Sequence, residues 1–423
     1  MHKQRLPAPD MAATGRGCWP PRPRFDAVDS GSPLLAPPGR ELLDLLQGED
    51  VTPASAMRLA ERLRGSYPAE LIALCLTQQE LRLAARAKFS RADQMLFTRA
   101  GLEQASSELT AAHVAQRLAG FRAVADLCCG IGGNLAALAA ASRVLAADAD
   151  LTSLQFAWHN AAVYGAEDVG LVCADVRELV PAIGSAVHAA FIDPARRTGG
   201  RRLHAGHSEP PLAWCLRLAE AIPAVCIKAA PGLPHALVPP GWETEFVATG
   251  RNLKEALLWS PALATVARRA TVLPAGHTLV GNEGSEVPVA APGAYLLDPN
   301  PAVTRAGLVE DLARSLGAWK IDTMIAFLAT DRQVSTPFAR TLQVLDSMPW
   351  HERAAARRLR ELDIGAADIR RRGLAGDVDQ IKRRLGLRGS RTAVIVLTRQ
   401  AGKPWGLICM APDEPATAPH LAG

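Results

Sequence analysis

The chain has 423 residues, 48% of them hydrophobic and 21% charged, with a formal net charge of +5 at pH 7. This suits about three folded units with substantial cores. No apolar run approaches the roughly 20 residues of a membrane span, and no apolar signal-peptide core stands near the N-terminus, so a cytoplasmic protein with no membrane partner is expected. Eight cysteines without a C-x-x-C pair fit reduced thiols and argue against a metal module. So small a net charge does not by itself indicate nucleic acid.

In chain order, residues 1–38 are rich in Pro, Gly and Arg with little periodicity, and read as a disordered segment in which Met11 is an alternative start to Met1. From 39 to 119, Leu, Ala and Ile recur at helical spacing between Glu and Arg, which predicts a helical region. An apolar strand, Phe121 to Leu127, then runs into Asp126-Leu-Cys-Cys-Gly-Ile-Gly-Gly-Asn134, and an Ala-rich helix runs out. Gly130, Gly132 and Gly133 allow close backbone approach to a ligand, and the helix beginning near Asn134 aims N–H groups at it. Asp126 narrows the choice of ligand: a carboxylate there repels a dinucleotide pyrophosphate but pairs with an ammonium group. The dinucleotide fingerprint G-x-G-x-x-G also fails, because Leu135 takes the third glycine's place.

The following strands carry acids at their ends. Arg143 to Asp148 ends in a carboxylate 22 residues after Asp126, placed to take both hydroxyls of a ribose. Leu151 to Tyr164 reads as a helix and Val169 to Cys173 as a strand, with Asp175 just beyond it, placed to meet an adenine amino group. Ala189 to Pro194 is a strand ending in a rigid Asp193-Pro194 turn, and Ala224 to Lys228 is another. Glu255–Trp259 and Ala270–Leu273 are expected to close the sheet as an antiparallel pair. All of these acids fall at the carboxyl edge, where open α/β sheets bind ligands.

Asp126 to Asn134, together with Trp158-His-Asn-Ala-Ala-Val-Tyr-Gly165, resembles the trimethylguanosine-synthase branch of class I S-adenosylmethionine-dependent methyltransferases over about residues 120 to 275. The resemblance implies S-adenosyl-L-methionine as cofactor. Asp126, Gly130 and Gly132 would surround its methionine half, Asp148 the ribose and Asp175 the adenine, with Cys128 and Asn134 completing the lining. Asp193 and Pro194 sit where the family keeps its target-nucleotide motif and are the catalytic candidates. Where such enzymes usually show Pro-Pro and a stacking aromatic, this chain has Pro194-Ala195-Arg196. Ala195 also leaves no cysteine nucleophile beside that turn.

Tyr295 to Gly307, Ser335 to Arg340 and Ile369 to Gly373 resemble the THUMP-like domain appended to a group of bacterial methyltransferases. Ala87-Lys-Phe89 and Phe97 to Gln104 resemble the leader of that group. The expected fold is therefore α/β: a Rossmann-like, seven-stranded methyltransferase sheet over residues 120–281, preceded by the helical region and followed by a linker (282–293), an α+β THUMP-like domain (294–412) and a disordered tail (413–423).

Basic residues outnumber acidic ones between Arg353 and Arg399, with clusters at Arg357-Arg358, Arg370-Arg371-Arg372 and Lys382-Arg383-Arg384. Arg196, Arg197, Arg201 and Arg202 form a second basic patch beside the Asp193 turn. These groups suit an RNA phosphate backbone, although solvated helix faces carry such clusters from composition alone. Arg196, Arg197, Arg201, Arg202, Lys228, Arg370, Arg371 and Arg372 are the substrate-binding candidates, with Lys228 equally readable as a snorkelling strand end. Trp158 and Tyr164 read as helix packing, and His204 and His207 as solvated loop residues. The function expected is methylation of a base in tRNA or rRNA, without a metal. The alternatives are a catalytically silent RNA-binding protein, or a methyltransferase acting on a protein or small molecule.

Overall fold

The computed structural model describes residues 32–166, 168–195, 197–198, 201–202 and 208–411. Arg196, His204, His207, the side chains of Arg197, Arg201 and Arg202, the tail 413–423 and most of the segment 1–38 lie outside the described residues. Residues 32–38 are described, and Leu34 is buried with Leu42 and Leu71 in the first core. The chain divides into two compact units, residues 1–243 with 256–265, and residues 244–255 with 266–423.

The first unit opens with helices α1 (Gly39–Leu45), α2 (Pro53–Leu63), α3 (Ala69–Ala85), α4 (Arg99–Gln104) and α5 (Glu108–Leu118). Thr52 starts α2 with a reciprocal cap to Ser55, and Ser107 caps α5. The apolar faces of α1 to α4 share one core that also takes Ile131 and Phe156, so this part of the helical region packs directly on the α/β part. That part runs β1 (Ala123–Leu127), α6 (Leu135–Ala139), β2 (Arg143–Asp148), α7 (Leu151–Val163), β3 (Val169–Cys173), α8 (Val176–Ile183) and β4 (Ala189–Ile192). After the short pair β5 (Arg197–Thr198) and β6 (Arg201–Arg202) come α9 (Leu212–Ala221), β7 (Ala224–Ala229), β8 (Glu243–Thr249), which belongs to the second unit beyond Glu243, and β9 (Asn252–Trp259), which re-enters the first unit at Ala256. Strand order here is β9-β7-β4-β1-β2-β3. All pairings are parallel except β7 with β9, where Cys226 meets Trp259. Every residue of β1 is buried, as expected of a central parallel strand covered on both faces. The connections reverse direction between β1 and β4, and an open sheet binds ligands outside the carboxyl ends at such a switch point.

The second unit holds the order β11-β10-β8-β9, with β10 (Arg268–Leu273) and β11 (His277–Val280). β10 is parallel to β8 and antiparallel to β11, so the expected pairing of Glu255–Trp259 with Ala270–Leu273 is corrected. The seven strands implied by the resemblance are β1 to β4 and β7 to β9, and β10 and β11 extend the edge. β8 escapes a sequence reading because Glu243 and Glu245 are fully buried within it. Glu243 accepts from Arg117 Nη1 (2.8 Å) and Glu245 from Thr271, and such partners make buried carboxylates tolerable.

The remaining chain forms β12 (Tyr295–Pro299), α10 (Pro301–Ala306), α11 (Val309–Leu316), β13 (Trp319–Lys320), β14 (Leu328–Thr330), β15 (Ala339–Pro349), α12 (Glu352–Glu361), β16 (Ile364–Arg371), α13 (Val378–Leu385), β17 (Arg391–Gln400) and β18 (Lys403–Met410). These strands make a second sheet, β13-β14-β12-β15-β18-β17-β16, parallel only at β16–β17. α12 and α13 cover one face through Leu359 and Leu385. On the other face Leu296 and Phe327 share a core with Val396, so the sheet curls. Its ends meet where Arg372 donates to the Ala326 carbonyl (3.1 Å). The expected linker 282–293 is fastened to this unit by Asn282 N–H to Asp311 (2.8 Å) and Trp319 Nε1 to the Ala291 carbonyl (2.8 Å). Among the described residues no helix is long and apolar enough to cross a membrane.

Candidate active site

A cavity of about 560 Å³ opens at the β1/β4 switch point, lined by Asp126, Cys128, Gly130, Asn134, Asp148, Asp175 and Asp193. Gly132 stands beside it and serves packing: its φ is +82°, and a Cβ would come within 3.0 Å of the Ala157 backbone. Gly130 also has positive φ, but a Cβ there would meet only open space, so its requirement is conformational. Its N–H donates to Asp148 Oδ2 (2.8 Å) while Asp150 N–H donates to Oδ1 (2.9 Å), which joins the glycine turn to the end of β2. Burial lifts the Asp148 pKa, and these backbone bonds oppose the rise.

Asp126 is 1% exposed, and among the described residues neither of its oxygens has a hydrogen-bond partner. Burial holds its pKa well above the carboxylate range; the charges of Asp193 and Asp148 add to the rise and Lys228 opposes it. Asn134 is also buried, and its Nδ2 has no partner among the described residues. One cavity thus offers an orphaned acceptor and an orphaned donor, the pair that the ammonium and carboxylate of an amino acid would satisfy. Cys128 and Cys129 have pKa values raised by burial, so their thiols stay neutral.

Asp193 follows β4, with its N–H bonded to the Leu127 carbonyl. Lys228, 6% exposed at the end of β7, donates to Asp193 Oδ2 at 2.7 Å, to Ser106 Oγ at 2.9 Å and to the Gln104 carbonyl at 3.2 Å. This excludes the snorkelling reading of Lys228. Asp175 caps α8, and both its oxygens accept from Arg177 (3.0 and 2.6 Å), whose Nη1 also pairs with Glu209 at 2.9 Å. Sequence reasoning missed Ser106, Gln104, Arg177 and Glu209. Gln104 ends the leader-like segment Phe97 to Gln104 and nothing local marks Ser106; both reach the cavity because the helical region docks there.

Comparison with known proteins follows the same division. Residues 121–197 match the family model of RNA cap guanine-N2 methyltransferases, 339–411 that of THUMP domain-like sequences and 27–87 that of a domain of unknown function. Over 313 residues, 72% of this chain and 85% of the relative, the chain is 40% identical to an uncharacterized S-adenosylmethionine-dependent methyltransferase of Mycobacterium tuberculosis, in strains CDC 1551 / Oshkosh and H37Rv alike. The chain belongs to the S-adenosylmethionine-dependent methyltransferases. A crystal structure from Porphyromonas gingivalis W83, described as a methyltransferase, shares the fold with a TM-score of 0.70 at 19% identity, covering 86% of this chain and all of that one. The cofactor of this methyltransferase is S-adenosylmethionine, and the orphaned Asp126 and Asn134 groups fit its amino-acid end.

Among the other candidates, Tyr164 packs against the helical core and donates to Glu108. Arg370 and Arg372 are engaged with the buried Asp298, and Arg371 donates to the Gly376 carbonyl.

Proposed function

We propose that this methyltransferase modifies a base in RNA, either tRNA or rRNA, with Asp193 and the Pro194 carbonyl receiving the acceptor amine. The observation that carries the reading is the Lys228–Asp193 pair on the cavity wall, beside the unpaired Asp126. Lys228 occupies Oδ2 of Asp193, which leaves Oδ1 to accept a hydrogen from an exocyclic amine and aim its lone pair into the cavity. When bound, the cofactor supplies a methyl group on a sulfonium, a good leaving group. The chain's own work is then positioning and charge stabilisation. Asp126 and Asn134 hold the amino-acid end, Asp148 the ribose hydroxyls and Asp175 the adenine edge, with Cys128, Gly130 and Gly132 giving the turn its shape. The family models matched at residues 121–197 and 339–411 support an RNA target, as does the Arg196 to Arg202 patch next to Asp193 in sequence.

The test combines two measurements. Mass spectrometry of RNA from cells with and without this gene should reveal a methylated base lost with the gene. Transfer of labelled methyl to that RNA should fall about 100-fold or more in Asp193→Ala, with cofactor affinity within a few-fold of wild type. Loss of both together would place Asp193 at the cofactor instead, and an unchanged RNA methylation profile would redirect the search to proteins or small molecules.

A further inference from the structure

Three arginines converge on one buried carboxylate in the second unit. Asp298, 2% exposed at the end of β12, accepts from Arg251 Nη2 at 2.8 Å and Arg370 Nη1 at 3.1 Å on Oδ2, and pairs with Arg372 Nη2 at 2.9 Å on Oδ1. Arg340 lies opposite Asp298 in the β12–β15 ladder, 3.9 Å from Asp368, which also accepts from Arg370 Nε. Four guanidinium groups therefore face two carboxylates, a surplus of two positive charges among the described residues. The side chains of Arg251, Arg340, Arg370 and Arg372 are each 29–35% exposed, so the cluster is open to solvent in part. Burial depresses the Arg251 pKa; Asp298 opposes the shift, and the like charges of Arg370, Arg372 and Arg340 add to it.

The clusters on α12 and α13 differ. Arg358 pairs with Asp346 and Glu361, Arg357 with Glu361 and Arg384 with Glu352, each a solvated pairing of the kind expected from composition.

We propose that Arg251, Arg340, Arg370 and Arg372 form a binding site for a backbone phosphate of the RNA substrate. The inference rests on the RNA reading above and extends it. Asp298 holds three of the forks in place before the ligand arrives, so little side-chain entropy remains to be lost on binding. The surplus charge then goes to an anion, and planar guanidinium groups match phosphate oxygens in bidentate geometry. The single negative charge of a phosphodiester lies within the surplus of two.

The experiment measures binding of fluorescein-labelled bulk tRNA to the full chain by anisotropy across a range of salt concentrations. Arg251→Gln with Arg340→Gln leaves Asp298 paired to Arg370 and Arg372, and should weaken binding about tenfold near physiological salt. The slope of log K against log[salt] should flatten by about one for each arginine removed. Arg340→Lys should keep most of the slope, and Arg357→Gln on α12 should change affinity less than about twofold. S-adenosylhomocysteine affinity should not change in any of these variants. Wild-type affinity and slope in the double variant would overturn the site while leaving the RNA reading intact. A wild-type protein that binds no tRNA at low salt would overturn both.

Discussion

An unpaired carboxylate buried away from water avoids several kcal/mol of desolvation by taking up a proton, and Asp126 is in that position until a cation arrives. An ammonium group beside it favours the charged form, so cofactor binding should release a proton at pH values below the raised pKa. Titration calorimetry in buffers of different ionisation enthalpy should detect that proton with wild type and not with Asp126→Asn. A wild-type heat independent of buffer at every pH where the protein is folded would sink the idea. Folding raises this pKa, so the contribution of Asp126 to the stability of the cofactor-free protein is complete below about pH 4 and is lost as pH rises through the raised value. The thermal midpoint of Asp126→Asn should exceed that of wild type by a margin that grows with pH. At the other end of the cavity, Asp148→Ala should weaken cofactor binding by roughly 2–4 kcal/mol through loss of charged hydrogen bonds, again read by calorimetry. It should also release the Gly130 N–H that Asp148 now holds.

At the scale of elements, the cavity wall around Asp193 is assembled by helices that the sequence presents as a separate region. Lys88 donates to the carbonyls of Leu102 (2.6 Å), Glu103 (3.2 Å) and Ala105 (3.0 Å), which closes the end of α4 and sets Gln104 and Ser106 against Lys228. Asn160 on α7 ties the same region to the glycine turn. It accepts from Leu96 N–H (2.8 Å) and donates to the carbonyls of Leu96 and Ile131 (both 2.9 Å). Asn160→Ala leaves these buried groups unpaired and should cost roughly 2–4 kcal/mol of stability, measured by denaturant unfolding. Cofactor affinity should fall as well, because Ile131 lies within the turn. A variant with wild-type stability and affinity would show that the tie is dispensable. The helix after the turn was legible only in part: α6 spans just Leu135–Ala139, and Asn134 does not cap it but keeps its Nδ2 unpartnered at the cavity.

For the whole molecule, the division at residues 243–266 alters what a truncation removes. Within the second unit Asn300 Nδ2 donates to the Gly250 carbonyl (2.8 Å) and the Arg305 guanidinium lies 5.6 Å from the centre of the Phe246 ring. A chain ending near residue 290 loses these contacts and uncovers apolar positions of β8 and β10, including Phe246 and Ala270, both fully buried in the intact protein. Such a truncation should aggregate or bind hydrophobic dyes, whereas the intact chain should not, as light scattering and dye fluorescence can establish. A monodisperse truncated protein with normal cofactor affinity would mean that β8 and β10 need no cover.

The sequence alone determined the α/β class, the parallel strands β1 to β4 and β7, and the acids at their ends, because these depend on local features. Apolar runs of strand length, glycines where the backbone turns back, and carboxylates just past each strand are all readable within a few residues. It also pointed to the cofactor, through the family resemblance carried by Asp126 to Asn134 and Trp158 to Gly165. Tertiary structure decided what depends on pairs far apart in the chain. Lys228 is buried against Asp193, 35 residues away, and Ser106, 122 residues away. Strand β8 could form because Arg117, 126 residues before Glu243, meets that buried carboxylate. Arg370 acquired its setting from Asp298, 72 residues upstream. Burial of a charged group is stable only with its partner in place, and no local pattern in the chain names that partner.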